Sequence, residues 1–525
     1  MSSPLPTINP SFKRLWSSLW PYSFILLVGL LFIPVIGILS QSSMAVLNAT
    51  LDVVMSESTF NSVLVVFLSC LFASIFGISS AWIVTFSNIP FKKWIQWLLI
   101  MPLAIPPYVM AYVSKGFFDP FGTLDQWTGI HLDISNIVVL SLLISLVLYP
   151  YVYTPLRASL AQQSASLIEA AKIAGYRSQW KMMRLILPMH RTALVGGLLL
   201  VGLESLNEYG APAYFGVKTY TTEIIRYWDP MNLQYSVSHA LVALIFVGLL
   251  LYLESRTRLK SHTSDKLGRK VQDMEASMKS SLGFAVCITL LAIAFAAPVL
   301  QMLFWSGKNL GLFFESSFLM TTGYTFMLAL SSGLILLLTS VLLSYFIYMF
   351  KNYSLAKLSF IANLGYAIPG AIIGIGVLIP IAWLNESTDI LLTGTAGLLI
   401  GAYCMRYQSV AFNTVEGTLK KIPVSQLEAS LSLGRSRIGS LRSVILPQMK
   451  PALMGALLLV FVDITKELPL TMLFQRFNQE TLAVKAFIMM DTDGAFYKAS
   501  VPSLAIVFLG VLSIIALRYL DSKDE

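Results

Sequence analysis

Cysteine, histidine and charge are all scarce in this chain of 525 residues. There are 3 cysteines and 4 histidines, and Asp, Glu, Lys and Arg together make up 12%. Cys70, Cys287 and Cys404 each fall inside an apolar run without ligand-like spacing. That pattern excludes a disulfide framework and a zinc site, and the three read as small core residues. The histidines are scattered, so no histidine metal cage is expected. A charge content about half that of an ordinary soluble domain excludes a soluble globular protein. A G-x-x-x-x-G-K-[ST] segment is also missing, and with it the usual phosphate cradle of a nucleotide hydrolase. The longest polar interruption away from any repeat, residues 254–280, is too short for a nucleotide-binding domain, which runs to ~100 residues or more. Low-complexity segments are absent as well.

What fills the chain instead is apolar: 56% of its residues are hydrophobic. A span needs about 20 such residues to cross ~30 Å of hydrocarbon. Candidate spans lie near 22–40, 62–86, 95–114, 136–156, 193–214 and 237–253, and again near 281–304, 322–349, 358–383, 391–411, 452–474 and 502–519. The expectation is an all-α membrane protein of about twelve spans, six in each half. The apolar run after Lys13 and Arg14 is longer than a signal-peptide core and lacks a small-residue cleavage pattern, so it reads as a retained first span. With the N-terminus inside, most of the 36 Lys and Arg fall on the cytoplasmic side, as positive charge near span ends dictates. Outer loops then carry acids such as Asp52, Glu57, Asp119, Asp125 and Asp133. The net charge of +9 thus reflects topology rather than nucleic-acid binding. An even number of spans before the 254–280 linker places it inside, and makes the halves parallel about an axis along the membrane normal.

The halves are duplicates. Residues 169–188 read EAAKIAGYRSQWKMMRLILP and residues 428–447 read EASLSLGRSRIGSLRSVILP, in identical register. A constant long-range offset marks an internal repeat. Both copies fall between the fourth and fifth spans of their half, on the cytoplasmic side. Each begins with a helix-favouring run carrying Glu169 and Ala170, or Glu428 and Ala429. Gly175 or Gly434 then lets the chain turn without a Cβ penalty. A basic stretch follows, which Pro188 or Pro447 is expected to stop before the next span. A basic helix held by anionic lipid accounts for one such loop, but not for two with Glu, Gly and Pro in the same register.

This pattern resembles the EAA loop of permease subunits of bacterial ATP-binding-cassette (ABC) importers with the type I fold, and the resemblance covers essentially the whole chain. It implies permease domains over 61–253 and 321–519. Around them lie an N-terminal segment 1–60 with the first span, the cytoplasmic linker 254–280, a seventh span and outer loop 281–320, and a cytoplasmic tail 520–525. In that family the loop is a coupling helix docked in a groove of the ATPase. Glu169, Ala170, Gly175 and Pro188 would form one coupling loop, and Glu428, Ala429, Gly434 and Pro447 the other. The second copy has Ser430 where Ala is usual, a small-for-small change. Two copies of a separate ATPase and a periplasmic binding protein are the implied partners, with the bilayer around the chain and no nucleic acid. ATP and Mg would be used by the ATPase, and no cofactor is expected on this chain, which catalyses no covalent chemistry.

Inside the membrane the sequence places Glu204 and Glu208, with Asp463 and Glu467 at the same repeat offset. Spaced four apart, each pair would share one helical face, about halfway across the hydrocarbon. Intramembrane carboxylates cost several kcal/mol each unless they face water or partners. They read as candidates for the translocation path; the rival reading is that they cap irregular backbone near Pro469 or anchor one half to the other. Lys466 could neutralise one neighbour. The segments 209–228 and 463–474 resemble ferric-iron importers, whose permease is often one fused chain, and a hard cation prefers oxygen ligands. Thiamine permeases share the fused architecture and are the close rival. Sulfate permeases fit less well, because carboxylates repel an anion. An ion-gradient-driven secondary transporter and a membrane-embedded enzyme or scaffold are the readings from other classes. The repeated loops favour the ATP-driven inner-membrane importer, with both termini cytoplasmic and alternating access as its mechanism.

Overall fold

The computed structural model describes residues 29, 31–41, 43–163, 168–169, 171, 173–176, 178–229, 231–258, 280–350, 364–476, 479–491 and 496–521. Strands are absent among them. Among the described residues, eight helices are long and apolar enough to cross a membrane, and up to eleven spans result if three sharply bent helix pairs each count as one. A further helix, Ala396–Leu419, occupies the expected tenth span. Residues 22–28 of the expected first span and 358–363 of the expected ninth lie outside the described residues. The linker 254–280 falls mostly outside the described residues. The three cysteines lie in helices and are unpaired.

Two of the three bends sit at prolines. Lys92–Ala104 and Pro107–Thr128 meet at 86°, because Ile105, preceding Pro106, is driven into extended backbone (φ −92°, ψ 119°). Ile137–Leu148 and Pro150–Ala161 meet at 44°. Buried tyrosines satisfy carbonyls left open near the first bend: Tyr149 donates to the Leu99 carbonyl at 2.8 Å and Tyr153 to that of Gln96 at 3.0 Å. Satisfying such groups is obligatory where no water is available.

The fold separates into two compact units. One comprises residues 41–328, 369–372 and 462–525; the other comprises 1–40, 329–368 and 373–461. In the larger unit, the Glu57–Phe86 helix packs against Ile137–Leu148, Pro150–Ala161 and Arg191–Asn207. Helices in lipid gain no hydrophobic driving force from each other, so close approach through small residues does the work. Gly197 is one such point. A Cβ there would lie 2.6 Å from the Tyr151 carbonyl oxygen and 2.8 Å from the Val152 Cα, whereas one on Gly196 would meet nothing within 4 Å. The seventh span, Ser281–Phe314, joins this unit through Trp305, whose indole donates to Thr123 Oγ1 at 3.1 Å.

In the smaller unit, a buried cluster of Tyr345, Val415, Leu419, Ile422, Leu427, Leu441, Ile445 and Met449 forms an apolar core. Gln408 ties two of its helices: it accepts from Thr339 Oγ1 at 2.9 Å and donates to Ser340 Oγ at 2.8 Å.

The adjacent glycines give an internally controlled test. Gly197→Ala should lower stability in detergent by about 1–3 kcal/mol, the range for forcing a methyl into a packed interface. Gly196→Ala should leave stability unchanged or raise it by up to about 1 kcal/mol through helix propensity. Melting curves of the two purified variants distinguish these outcomes.

Candidate functional site

Each repeated loop is a helix, a left-handed glycine and a second helix. In the second copy, Val424–Ser432 ends with Gly434 at φ +82°. Gly434 N–H donates to the Leu431 carbonyl at 3.0 Å, and Arg435 N–H reaches back to that of Ser430 at 3.2 Å. These are the two bonds of a Schellman cap, which needs a residue free to adopt positive φ. The first copy repeats the geometry at the same offset: Gly175 has φ +88°, and Tyr176 N–H donates to the Ala171 carbonyl at 3.0 Å. Glu169, Gly175, Glu428, Ala429 and Gly434 are all exposed. Ala170 lies outside the described residues.

Apolar side chains hold each loop from beneath while others are displayed. Ile168, Ala171, Met182 and Ile186 are buried in the first copy, and Ile173 is 88% exposed. In the second, Leu427 and Ser430 are buried and Leu433 is 84% exposed. Ser430 is more than a small residue: its hydroxyl meets Ser440 Oγ at 2.9 Å and closes the two arms on each other. The anchors differ between copies. His190 joins the first to the preceding helix, through Ser159 Oγ at 2.7 Å and Gln163 Oε1 at 2.9 Å. At the equivalent place the second copy has buried, apolar Met449, and it is held by Tyr345 and Tyr348, which donate to the carbonyls of Arg437 (2.7 Å) and Ile422 (3.0 Å).

Two expectations need correction here. Pro188 and Pro447 do not stop the basic helices, because Trp180–Asn207 and Arg437–Thr465 each run on as one span of 28 or 29 residues. Each proline sits second in the helical segment it opens, Leu187–His190 or Leu446–Thr465, where its missing N–H breaks no bond. Irregular turns absorb the ring: a 3₁₀ turn contains Pro188, and a π turn, Leu441–Ile445, precedes Pro447.

The second correction concerns the intramembrane acids. Glu204 and Glu208 do not share a helical face, because the helix ends at Asn207 and Glu208 is extended (φ −66°, ψ 127°). The chain then makes a six-residue helix, Gly210–Phe215. Its partner in the second half does the same: Leu446–Thr465 ends, and a six-residue helix, Pro469–Phe474, begins. At both breaks the glutamate turns back on its own backbone. Glu208 Oε1 accepts from Ala211 N–H at 3.0 Å, and Glu467 Oε1 from Leu470 N–H at 3.1 Å. The glutamate carbonyls are also satisfied, by Thr221 Oγ1 at 2.7 Å and Thr471 Oγ1 at 2.8 Å. The capping role raised from sequence is thus what the geometry displays.

The two breaks meet inside the larger unit. A Cβ on Gly210 would fall 2.6 Å from Tyr108 Cβ and 2.7 Å from Leu468 Cδ2. Asn207 Oδ1 accepts from Gly370 N–H at 2.8 Å, the first residue of the Gly370–Thr388 helix. Lys466 pairs with Asp463 at 2.9 Å, and the charge of Glu204 also acts on it. Sequence reasoning missed Tyr108, Asn207, Thr221 and Thr471. A signal was available in an acid followed within two residues by Gly210 or Pro469 inside an apolar run, which marks a helix break.

Substitution separates cap from charge. Glu208→Gln and Glu467→Gln keep an oxygen acceptor and should melt within error of the parent. Glu208→Ala and Glu467→Ala should each lose about 0.5–2 kcal/mol, the usual cost of a missing cap. Equal losses for Gln and Ala would show that the break depends on charge and not on the bond.

The family described as "Binding-protein-dependent transport system inner membrane component" matches residues 73–256 and 349–523. The Fe(3+)-transport system permease protein FbpB 2 of Haemophilus influenzae is 22% identical over 519 residues, 95% of this chain and 98% of that protein. The ferric transport system permease protein FbpB of Actinobacillus pleuropneumoniae is 22% identical over 79% of this chain and 64% of its own length. The sulfate transport system permease protein CysW of Escherichia coli K12 is 31% identical over 36% of this chain and 65% of its own length. A solved bacterial alginate ABC transporter, crystallised with an alginate pentasaccharide-bound periplasmic protein, aligns with 46% of this chain at 13% identity and a TM-score of 0.38. Since the family's domain occurs twice and spans most of the sequence, this chain belongs to the inner-membrane components of binding-protein-dependent transport systems, as a multi-pass permease of the type I ABC importer class with both copies fused.

Proposed function

We propose that this chain is the membrane-spanning subunit of an ATP-driven importer that takes ferric iron from a periplasmic binding protein into the cytoplasm. Both termini lie on the cytoplasmic side. Two copies of a separate ATPase bind ATP and Mg and engage the loops at Glu169, Ala170 and Gly175 and at Glu428, Ala429 and Gly434; the chain itself holds no cofactor. The observation that carries this reading is the duplicated Schellman-capped loop, whose exposed apolar tips, Ile173 and Leu433, suit a protein groove better than water. Each loop runs through its proline directly into the helix that breaks at Glu208 or Glu467. A push on the loop is therefore delivered along a stiff rod to the break. Alternating access follows when ATP closes the ATPase pair and the two breaks separate.

The cargo assignment rests on the acids and on the likeness to the Haemophilus permease over nearly the whole chain. Glu204, Glu208, Asp463 and Glu467 line the proposed path and attract a hard cation. The local likeness to a sulfate permease supports an oxyanion as second reading. Four carboxylates against one lysine along the proposed path are unsuited to an anion in a low-dielectric setting.

Uptake by a strain lacking its own importer, complemented with this system, tests the cargo: labelled ferric iron should accumulate, and labelled sulfate and thiamine should not. Glu208→Gln with Glu467→Gln should slow iron uptake while the ATPase still copurifies; unchanged uptake would confine the two residues to capping. Replacing Gly175 and Gly434 together by Trp should uncouple ATP hydrolysis from uptake. A side chain at φ near +85° costs about 1–2 kcal/mol, and a Cβ would meet nothing within 4 Å at either place, so the protein should still insert. Normal uptake by that double variant would remove the loops from the mechanism.

A further inference from the structure

Tyr108 is 2% exposed, and its hydroxyl has no hydrogen-bond partner. A buried phenol without a partner costs stability, and simple evolution to Phe would remove the cost. The ring stands where the two breaks meet, against Gly210, which also faces Leu468. The carboxylates of Glu208 and Glu467, one from each half, both act on it electrostatically and on each other. Each of those carboxylates uses Oε1 to hold its own break. Three segments thus bring oxygen-bearing groups to the meeting of the breaks: the Tyr108 phenol and the carboxylates of Glu208 and Glu467.

We propose that Tyr108, Glu208 and Glu467 form an oxygen-only transit site for a hard, multivalent cation, assembled as the two breaks part. This deepens the iron reading and rests on it. Two carboxylates and an ionisable phenol are ligands of the class such cations prefer, and the same set repels an oxyanion. Transit also demands weak or transient ligation, since a site that holds too tightly does not release.

Tyr108→Phe tests this without damaging the fold, because the hydroxyl it removes makes no hydrogen bond. Tyr112→Phe is the control: it removes a buried hydroxyl one turn along the same helix. Both variants would be reconstituted with the ATPase and the binding protein and assayed with labelled ferric iron. Tyr108→Phe should melt at or above the parent temperature and keep ATP hydrolysis stimulated by loaded binding protein. Its iron uptake should fall about 10- to 100-fold, the range for loss of a group supporting metal ligation. Tyr112→Phe should transport as the parent does. Parental uptake by Tyr108→Phe overturns the site, as does a fall in its melting temperature that matches the fall in uptake. If the parent complex carries sulfate instead of iron, the cargo assignment fails first, and that result is read from the parent alone.

Discussion

A chain that breaks its helix inside a membrane must find partners for the peptide groups it frees, since each one left unmet in hydrocarbon costs several kcal/mol. Here the same answer is used twice. Glu208 and Glu467 fold back on the next turn and cap a six-residue helix, and Thr221 and Thr471 cover the glutamate carbonyls. Much else follows from that bond. It accounts for carboxylates at a depth where charge is costly. It ends the long helices that lead from the repeated loops, and it brings Gly210, Leu468 and Tyr108 into contact. Each carboxylate cap spans only three residues, so the cap itself travels with its break.

The repeated loops depend on a second local device, the Schellman cap at Gly175 and Gly434. It fixes the angle between the arms of each loop without help from distant contacts. The supports differ: a polar clasp of His190, Ser159 and Gln163 under the first, and apolar packing with two tyrosine hydroxyls under the second. On the proposed mechanism the two loops receive the same push through differently stiffened mounts. Both copies keep the capped loop and the broken helix, and the surroundings differ.

Much of this was legible in the sequence because the decisive signals are local. Apolar runs about 20 residues long name the spans. A glycine closing a helix is read from its freedom at positive φ, and the fixed repeat offset pairs the residues of the halves. The errors came where local rules have exceptions. Pro188 and Pro447 looked like stops, yet a proline opening a helical turn is tolerated. Glu208 is a helical neighbour of Glu204 only in an unbroken helix, and Gly210 two residues on is the local sign that the helix breaks. Tyr108 was out of reach, since what makes it notable is an unmet hydroxyl beside two segments roughly 100 and 360 positions away, and no pattern within its own helix encodes that. The paired acids were found by repeat, but not their bonding, which depends on where the backbone turns.

The central claim is that force on the loops moves the breaks. It is tested most directly by the reactivity of single cysteines, Tyr209→Cys or Leu468→Cys, in a complex whose Cys70, Cys287 and Cys404 are replaced by Ser. A membrane-impermeant thiol reagent would be applied from the periplasmic side, with and without ATP and loaded binding protein. The account predicts slow labelling at rest and fast labelling with both present, with the acceleration lost when Gly175 and Gly434 carry Trp. Labelling at one rate in every state would contradict it.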